Sequence, residues 1–346
     1  MPAELRFENA RVAGIVTTVG AERRDFLAEA ASMGLSEAEA ARLQRALGLG
    51  SRHVANKSET TVDLCLASAR RLLAGLSLTP GEVSAVILVT QTPDYSAPSS
   101  AISIQHELGM PVTTMAFDMR LGCSGFVYGL AVASSLVESG FQRVLLCVGD
   151  IASRFVDPTD HAIAPLMGDA GAAVLVERTP AESWYQLYSD GSGARALIIP
   201  NSGLRQTDAD RDLAPYMRMD GAAVFNFTLQ RVPNLISDIL SAAKLAVDEP
   251  DYFVLHQPNK YILKNLQKRL QLPEQKVPMS TQGVFGNQNS ASIPGTINGF
   301  LSEPYSTQSL LSVFAGFGIG LSWGAAVVRT DRIFAPPTFI GIDKES

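Results

Sequence analysis

The chain has 346 residues, 46% of them hydrophobic and 18% charged, with a formal net charge of −6. That length exceeds the usual size of one core and predicts two packed halves, while the acidic balance excludes nucleic-acid binding as a property of the whole surface, since a phosphate-reading face needs clustered Lys and Arg. Three cysteines, Cys65, Cys123 and Cys147, form no pair at metal-ligand spacing, so neither a disulfide framework nor a zinc site is predicted and a reducing cytoplasm fits best.

The opening segment MPAELRFENARV carries charge from its fourth residue and has no apolar core, unlike a secretory signal. Strand patterns near residues 5–19, 83–91, 113–119, 143–149 and 171–178 then alternate with helical patterns at 35–47, 59–77, 99–108 and 123–139. After a polar join at residues 178–182 the alternation restarts with YQLYSDGSGARALIIP, a helix near 223–247, a strand at 252–256, helices at 259–270 and 291–302, and a final strand pair. Two α/β halves follow, 1–180 and 181–346. The uncharged run from Tyr305 to Val328 is long enough to cross a bilayer. Its alternation of Gly316, Gly318, Gly320 and Gly324 with Val313, Phe314, Phe317 and Val327 instead predicts two buried strands joined by a glycine-rich turn, so no membrane partner is expected. SDGSG at 189–193 lacks the Lys-Ser/Thr ending of a phosphate loop and reads as a turn, and GDAGAAVLVE at 168–177 brings small residues into a strand, as tight packing requires.

Cys123 lies where a short apolar segment breaks at Gly-Cys-Ser-Gly and a helix of small residues begins. A thiol in the first turn of a helix meets unsatisfied backbone N–H groups, which predicts a lowered pKa and a reactive thiolate; the alternative reading is a buried structural cysteine. Cys65 and Cys147 sit in apolar runs and read as core. A nucleophilic cysteine needs a base that is near in space rather than in sequence. Of the four histidines, His53, His106 and His161 read as solvated or capping residues, whereas His256 ends the apolar strand YFVLHQPN and would be delivered to the C-terminal edge of a sheet, where open α/β folds place ligands. Asn287, in GVFGNQNSASIPG, is either a cap for the helix that follows or a non-titrating donor suited to hold a carbonyl oxygen beside a histidine.

With TPDYSAPSSAISIQHELG, AFDMRLGCSGFVYGL, GDIASRFVDPTDHAIAPLMGDAGAAVLVE, MDGAAVFNFTLQRVP, VLHQPNKYI, GNQNSASIP and AGFGIGLSWGAAVVR in this order, the chain resembles the β-ketoacyl-acyl-carrier-protein synthase III family of the thiolase superfamily over most of residues 83–330. The resemblance implies a thiolase-like five-layer α-β-α-β-α fold built from two similar halves, a Cys123–His256–Asn287 triad, and an oxyanion hole from the backbone N–H groups of Cys123 and Ile319. It further implies substrate-binding roles for Arg154, Asn259, Lys260, Ala97 and Phe317, a homodimer, coenzyme A or acyl-carrier-protein thioesters as substrates, and no metal or redox cofactor. The expected reaction loads an acyl group onto Cys123 and condenses it with a malonyl thioester. Two other readings are acyl transfer to oxygen or nitrogen without decarboxylation, and a non-catalytic partner subunit, against which the intact triad argues.

Several positions depart from the family pattern. QRALGLGSRHV offers Arg42, Arg45 and Ala46 where many members carry a Trp and an Arg that grip coenzyme A, HQPNKY places Lys260 one position early, and Ile319 stands in a turn that is often all glycine. Before Pro98, where family members present a residue to the partner's acyl pocket, this chain has the small Ala97, which implies room for medium or long acyl primers.

Overall fold

The computed structural model describes residues 3–205 and 207–342. Along the first half run strands β1 (Ala3–Phe7) and β2 (Ala10–Val19), the ribbon β3 (Glu22–Asp25) with β4 (Ser51–Val54), and β5 (Ala85–Val89), β6 (Met115–Met119), β7 (Arg143–Asp150) and β8 (Ala170–Arg178). Helices α1 (Phe26–Glu29), α2 (Glu37–Leu47), α3 (Thr61–Gly75), α4 (Ser100–Glu107) and α5 (Gly125–Glu138) lie between them. The second half adds β9 (Ser183–Ser189), the short pair β10 (Leu197–Ile198) and β11 (Arg218–Met219), then β12 (Tyr252–Leu255), β13 (Ser309–Gly318), β14 (Ser322–Asp331) and β15 (Phe339–Ile340). Its helices are α6 (Gly221–Ala242), α7 (Lys260–Arg269), α8 (Thr281–Val284), α9 (Ser292–Phe300) and α10 (Ser302–Thr307).

Two mixed sheets carry the architecture, one of order β15-β2-β8-β7-β5-β6 and one of order β1-β9-β14-β13-β12. Helices α3 and α4 cover the outer face of the first sheet, α6 and α7 that of the second, and α5 with α9 pack between the sheets, giving the five-layer thiolase-like fold. The central layer buries Phe126, Val127 and Leu130 of α5 against strands of both sheets. At about 25 cal/mol per Å² of apolar surface, such two-sided burial is the main stabilising contribution of this helix.

The terminal strands cross between the halves. β1 pairs antiparallel with β9 in the second sheet, and β15 pairs parallel with β2 in the first. The single strand expected over 5–19 is therefore two strands in two sheets. The break falls at Glu8 and Asn9, whose backbone N–H groups both donate to the Glu138 carboxylate, at 3.2 and 3.0 Å, instead of to a ladder. The helix expected over 223–247 starts two residues early because Asp220 accepts the Ala223 N–H at 2.9 Å, and it ends before Lys244, whose φ of +58° leaves the helical region. The glycine-rich uncharged run forms the β13–β14 hairpin, as its pattern predicts. Among the described residues no helix is long and apolar enough to cross a membrane.

Candidate active site

Cys123 lies in the turn between β6 and α5, one residue before the N-cap Ser124. The β13–β14 hairpin presses on it so closely that a Cβ on Gly318 would stand 2.7 Å from Cys123 Cβ, and one on Gly316 would stand 2.8 Å from the Cys123 carbonyl oxygen. Only glycine fits at these two positions. The thiol is buried, with 7% of the residue exposed. Burial pushes its pKa up to about 11, while the backbone N–H groups of Ile319 and of Cys123 itself act in the opposite direction and the Asp150 carboxylate raises it further. The expectation of a lowered pKa is thus corrected: desolvation of the thiolate outweighs the helix terminus. The two N–H groups that approach the sulfur are those expected to form an oxyanion hole.

His256 directly follows β12 and continues its pairing, its N–H donating to the Ala315 carbonyl at 2.8 Å. Its Nδ1 lies 2.7 Å from Ser292 Oγ, and its ring meets the edge of Phe317 at 5.6 Å between centroids and 84° between planes. Burial pushes the imidazole pKa down to about 3, against which the Asn289 backbone acts weakly, so the ring is neutral at pH 7. Because the folded value lies below the ordinary 6.5, the unfolded chain takes up this proton first on acidification, and stability falls as pH drops from 6.5 towards 3. At 1.36 kcal/mol per pH unit this amounts to about 3 kcal/mol between pH 6.5 and 4. Denaturant unfolding of wild type and His256→Asn at the two pH values should show the variant losing about 3 kcal/mol less; equal losses would place the acid sensitivity elsewhere.

Asn287 follows Gly286, whose φ of +84° turns the chain, and is pinned by its N–H donating to the Leu166 carbonyl at 2.7 Å and its own carbonyl accepting the Gly168 N–H at 3.0 Å. Its Oδ1 accepts the Asn289 N–H at 3.0 Å, which leaves the amide NH₂ free to donate into the site. The cap reading holds in part: Oδ1 serves the helical turn Asn289–Ala291 that leads into α9, while Ala291 occupies the N-cap of α9 itself.

A cavity of about 380 Å³ is lined by Cys123, His256 and Asn287 together, with Phe317, Asn259 and Ile319 also in its wall and Leu166, Met167, Met217 and Phe225 making much of the rest apolar. A second cleft of about 570 Å³, with Tyr95, Arg120, Arg154 and Tyr216 along it, shares the wall of Gln91, Leu197 and Ile319. Asn259 also caps α7, its Oδ1 accepting the Ile262 N–H at 2.9 Å. Lys260 packs beside Gly48, outside the cavity wall. The Arg154 guanidinium donates to the carbonyls of Asn56 and Glu59, both at 2.6 Å. Ala97 stands on an exposed loop away from the cavity of its own chain.

Three contributors escape a reading of the sequence. Asn289, at φ +48°, reaches Cys123 with its side chain; Ser292 holds His256; and Asp150, at the end of β7, accepts from the Gln91 N–H at 2.7 Å and Ser290 Oγ at 2.8 Å, tying the Asn287 turn to the first sheet. Burial pushes the Asp150 carboxyl up to about 6. A charge ending the apolar run VLLCVGD was the available signal for it. His53, expected at the surface, is instead buried in β4 with Nδ1 2.9 Å from the Gly20 carbonyl, whereas His106 and His161 are exposed as expected. Among the described residues no cluster of His, Cys, Asp and Glu could hold a metal ion.

Cys65 and Cys147 are fully buried. Iodoacetamide should therefore label Cys123 alone, slowly at pH 7 and faster as the thiol ionises. Peptide mapping after brief labelling checks this, and equal labelling of Cys65 or Cys147 would contradict it.

Over residues 117–191 the chain matches the family model for 3-oxoacyl-[acyl-carrier-protein (ACP)] synthase III, and over 240–330 the model for the C-terminal part of the same family. It is 35% identical to a beta-ketoacyl-[acyl-carrier-protein] synthase III of Streptococcus equi subsp. zooepidemicus, over 82% of this chain and 88% of that one. With its counterpart from Synechocystis sp. it shares 33% identity over 83% and 88% of the two chains. Among solved structures, a 3-oxoacyl-(acyl-carrier protein) synthase of Burkholderia xenovorans LB400 matches with a TM-score of 0.94 at 35% identity, covering 98% of this chain and 99% of that one. The priming beta-ketosynthase of the R1128 polyketide pathway matches with a TM-score of 0.83 at 26% identity, over 94% and 98%.

Proposed function

The chain belongs to the 3-oxoacyl-[acyl-carrier-protein] synthase III family of condensing enzymes, and on that footing we propose that it loads an acyl group from a thioester onto Cys123 and condenses it with a malonyl thioester. The observation that carries this reading is the meeting of Cys123, His256 and Asn287 on one largely apolar cavity, with backbone N–H groups of Cys123 and Ile319 beside the sulfur.

In loading, Cys123 sulfur attacks the thioester carbonyl and the two N–H groups hold the oxyanion. The new S–C bond replaces the old one, and the thiol proton leaves with the departing thiolate as a free thiol. In the second half, the thioester carbonyl of the malonyl group sits between His256 and Asn287, both neutral donors that stabilise an enolate without titrating near pH 7. The carboxylate leaves as carbon dioxide, its bonding electrons become the enolate, and the enolate carbon attacks the acyl-Cys123 carbonyl. Cys123 leaves as a thiolate that takes one proton from solvent to return to the thiol, and a β-ketoacyl thioester forms. The apolar wall excludes water, which would otherwise hydrolyse the acyl-enzyme.

The substrates we propose are acyl-coenzyme A or acyl-carrier-protein thioesters, in fatty-acid initiation or a related specialised pathway, and the enzyme acts as a cytoplasmic homodimer. Within that dimer the exposed Ala97 faces the partner's acyl pocket and leaves it open. Each further methylene buried there contributes about 0.8 kcal/mol. The kcat/KM for acetyl through dodecanoyl thioesters should rise with length, and Ala97→Phe should shift the optimum to short primers. A wild type that favours acetyl, or a profile unmoved by Ala97→Phe, would sink the open-pocket assignment. Transfer to an alcohol or amine acceptor without carbon dioxide release would favour plain acyl transfer over condensation.

A further inference from the structure

Asn289 is hydrogen-bonded to two members of the Cys-His-Asn group, Cys123 and Asn287. The Cys123 thiol donates to its Oδ1 at 3.6 Å, its backbone N–H donates to Asn287 Oδ1 at 3.0 Å, and its backbone also acts on the His256 ring. The residue is 5% exposed and lines the cavity. Its φ of +48° lies in the left-handed region that asparagine tolerates better than most side chains. A tight turn held in this conformation directs the side chain at the sulfur while the backbone serves the other two residues.

We infer that Asn289 is a positioning residue that holds the Cys123 thiol protonated and aimed between acyl-transfer events, through a side-chain carbonyl that accepts its S–H. This rests on Cys123 being the nucleophile and adds a residue to the triad. An acceptor aimed at sulfur favours the thiol over the thiolate, because a lone pair facing a negative sulfur is repelled. The same amide carries a donor at its other end, so rotation about its last side-chain bond exchanges acceptor for donor at one point in space. The resting enzyme thereby keeps its buried sulfur neutral, and the amide turns to donate once charge develops there. The other ionisable groups bearing on the sulfur are the Asp150 carboxylate, which also opposes ionisation, and the neutral His256 ring in the same cavity.

Two variants separate this role from a merely structural one. Asn289→Gly removes the amide while glycine keeps the left-handed turn, and Asn289→Asp keeps the shape but replaces the donor end with a second acceptor and adds negative charge. The readout is the pH dependence of Cys123 alkylation by iodoacetamide from pH 6 to 10, followed by intact mass. Asn289→Gly should move the profile to lower pH, with about tenfold faster labelling at pH 8, and Asn289→Asp should move it to higher pH, with at least tenfold slower labelling. Shifts in the same direction, or none, would overturn the inference while leaving Cys123 as nucleophile. A wild-type Cys123 that resists alkylation at every pH would instead remove the nucleophile assignment, and this inference with it.

Discussion

Cys123→Ala should carry no acyl adduct on intact-mass analysis and should lower turnover by at least about 10³-fold, since the acyl group then has no sulfur to occupy. Cys123→Ser should fare little better. The wild-type thiol, held near 11 by burial, must already give up its proton at a cost of about 5 kcal/mol at pH 7, and a hydroxyl in the same desolvated place ionises with far more difficulty. The same burial gives the loading step a pH dependence of definite sign. Loading should accelerate about tenfold per pH unit from pH 6 to 9, as the thiolate fraction does when pH lies below the pKa. Rapid-quench mass spectrometry of the acyl-enzyme at several pH values measures it. Loading that is flat over this range would mean that the proton leaves sulfur in concert with attack.

His256→Ala and Asn287→Ala should separate the two halves of the reaction. Both side chains face the cavity as neutral donors, and neither has a hydrogen bond to Cys123 sulfur among the described contacts. Each variant should therefore still form the acyl-Cys123 adduct, and each should lose malonyl decarboxylation by about 10²–10³-fold, the usual consequence of removing one donor to a developing oxyanion. The Asn287 substitution also removes the acceptor for the Asn289 N–H, so its effect should not be milder than that of His256. Intact-mass spectra and carbon dioxide release on the same samples give both quantities. A fall in loading as deep as that of Cys123→Ala would contradict the division of labour.

Hydrophobic periodicity revealed the long central strands and the long helices, since each buries a face set by its own local period, but it ran β1 and β2 together and gave no sign of the two-residue β15. Long-range pairing was hidden, because nothing in AELRF shows that it joins β9 some 180 residues on, or that Phe339–Ile340 adds to the first sheet. The turn at Cys123, the strand end at His256 and the glycine-rich loop at Asn287 are each written locally and mark candidates, but their grouping came from the family resemblance. The protonation state of Cys123 was not legible. It depends on how many atoms surround the sulfur, and those come from the β13–β14 hairpin almost 200 residues away. His53 failed for a similar reason: GSRHV reads as a polar turn, yet the Gly20 carbonyl across the β3–β4 region takes its ring nitrogen into the interior. Asn289 escaped notice because its role follows from a left-handed backbone that the letters GNQNS do not announce.

A single-turnover experiment on preloaded enzyme separates condensation of both substrates through one sulfur from any other fate of the acyl group. Acyl-Cys123 enzyme, freed of excess acyl donor, is mixed with a malonyl thioester carrying carbon-13 in its carboxylate, and the acyl-enzyme mass, labelled carbon dioxide and thioester product are followed together. The acyl adduct should disappear in step with one equivalent of labelled carbon dioxide, and a β-ketoacyl thioester two carbons longer than the loaded acyl group should appear. Loss of the adduct as free acid or as a simple transfer product, with the label still on the malonyl thioester, would contradict condensation at Cys123.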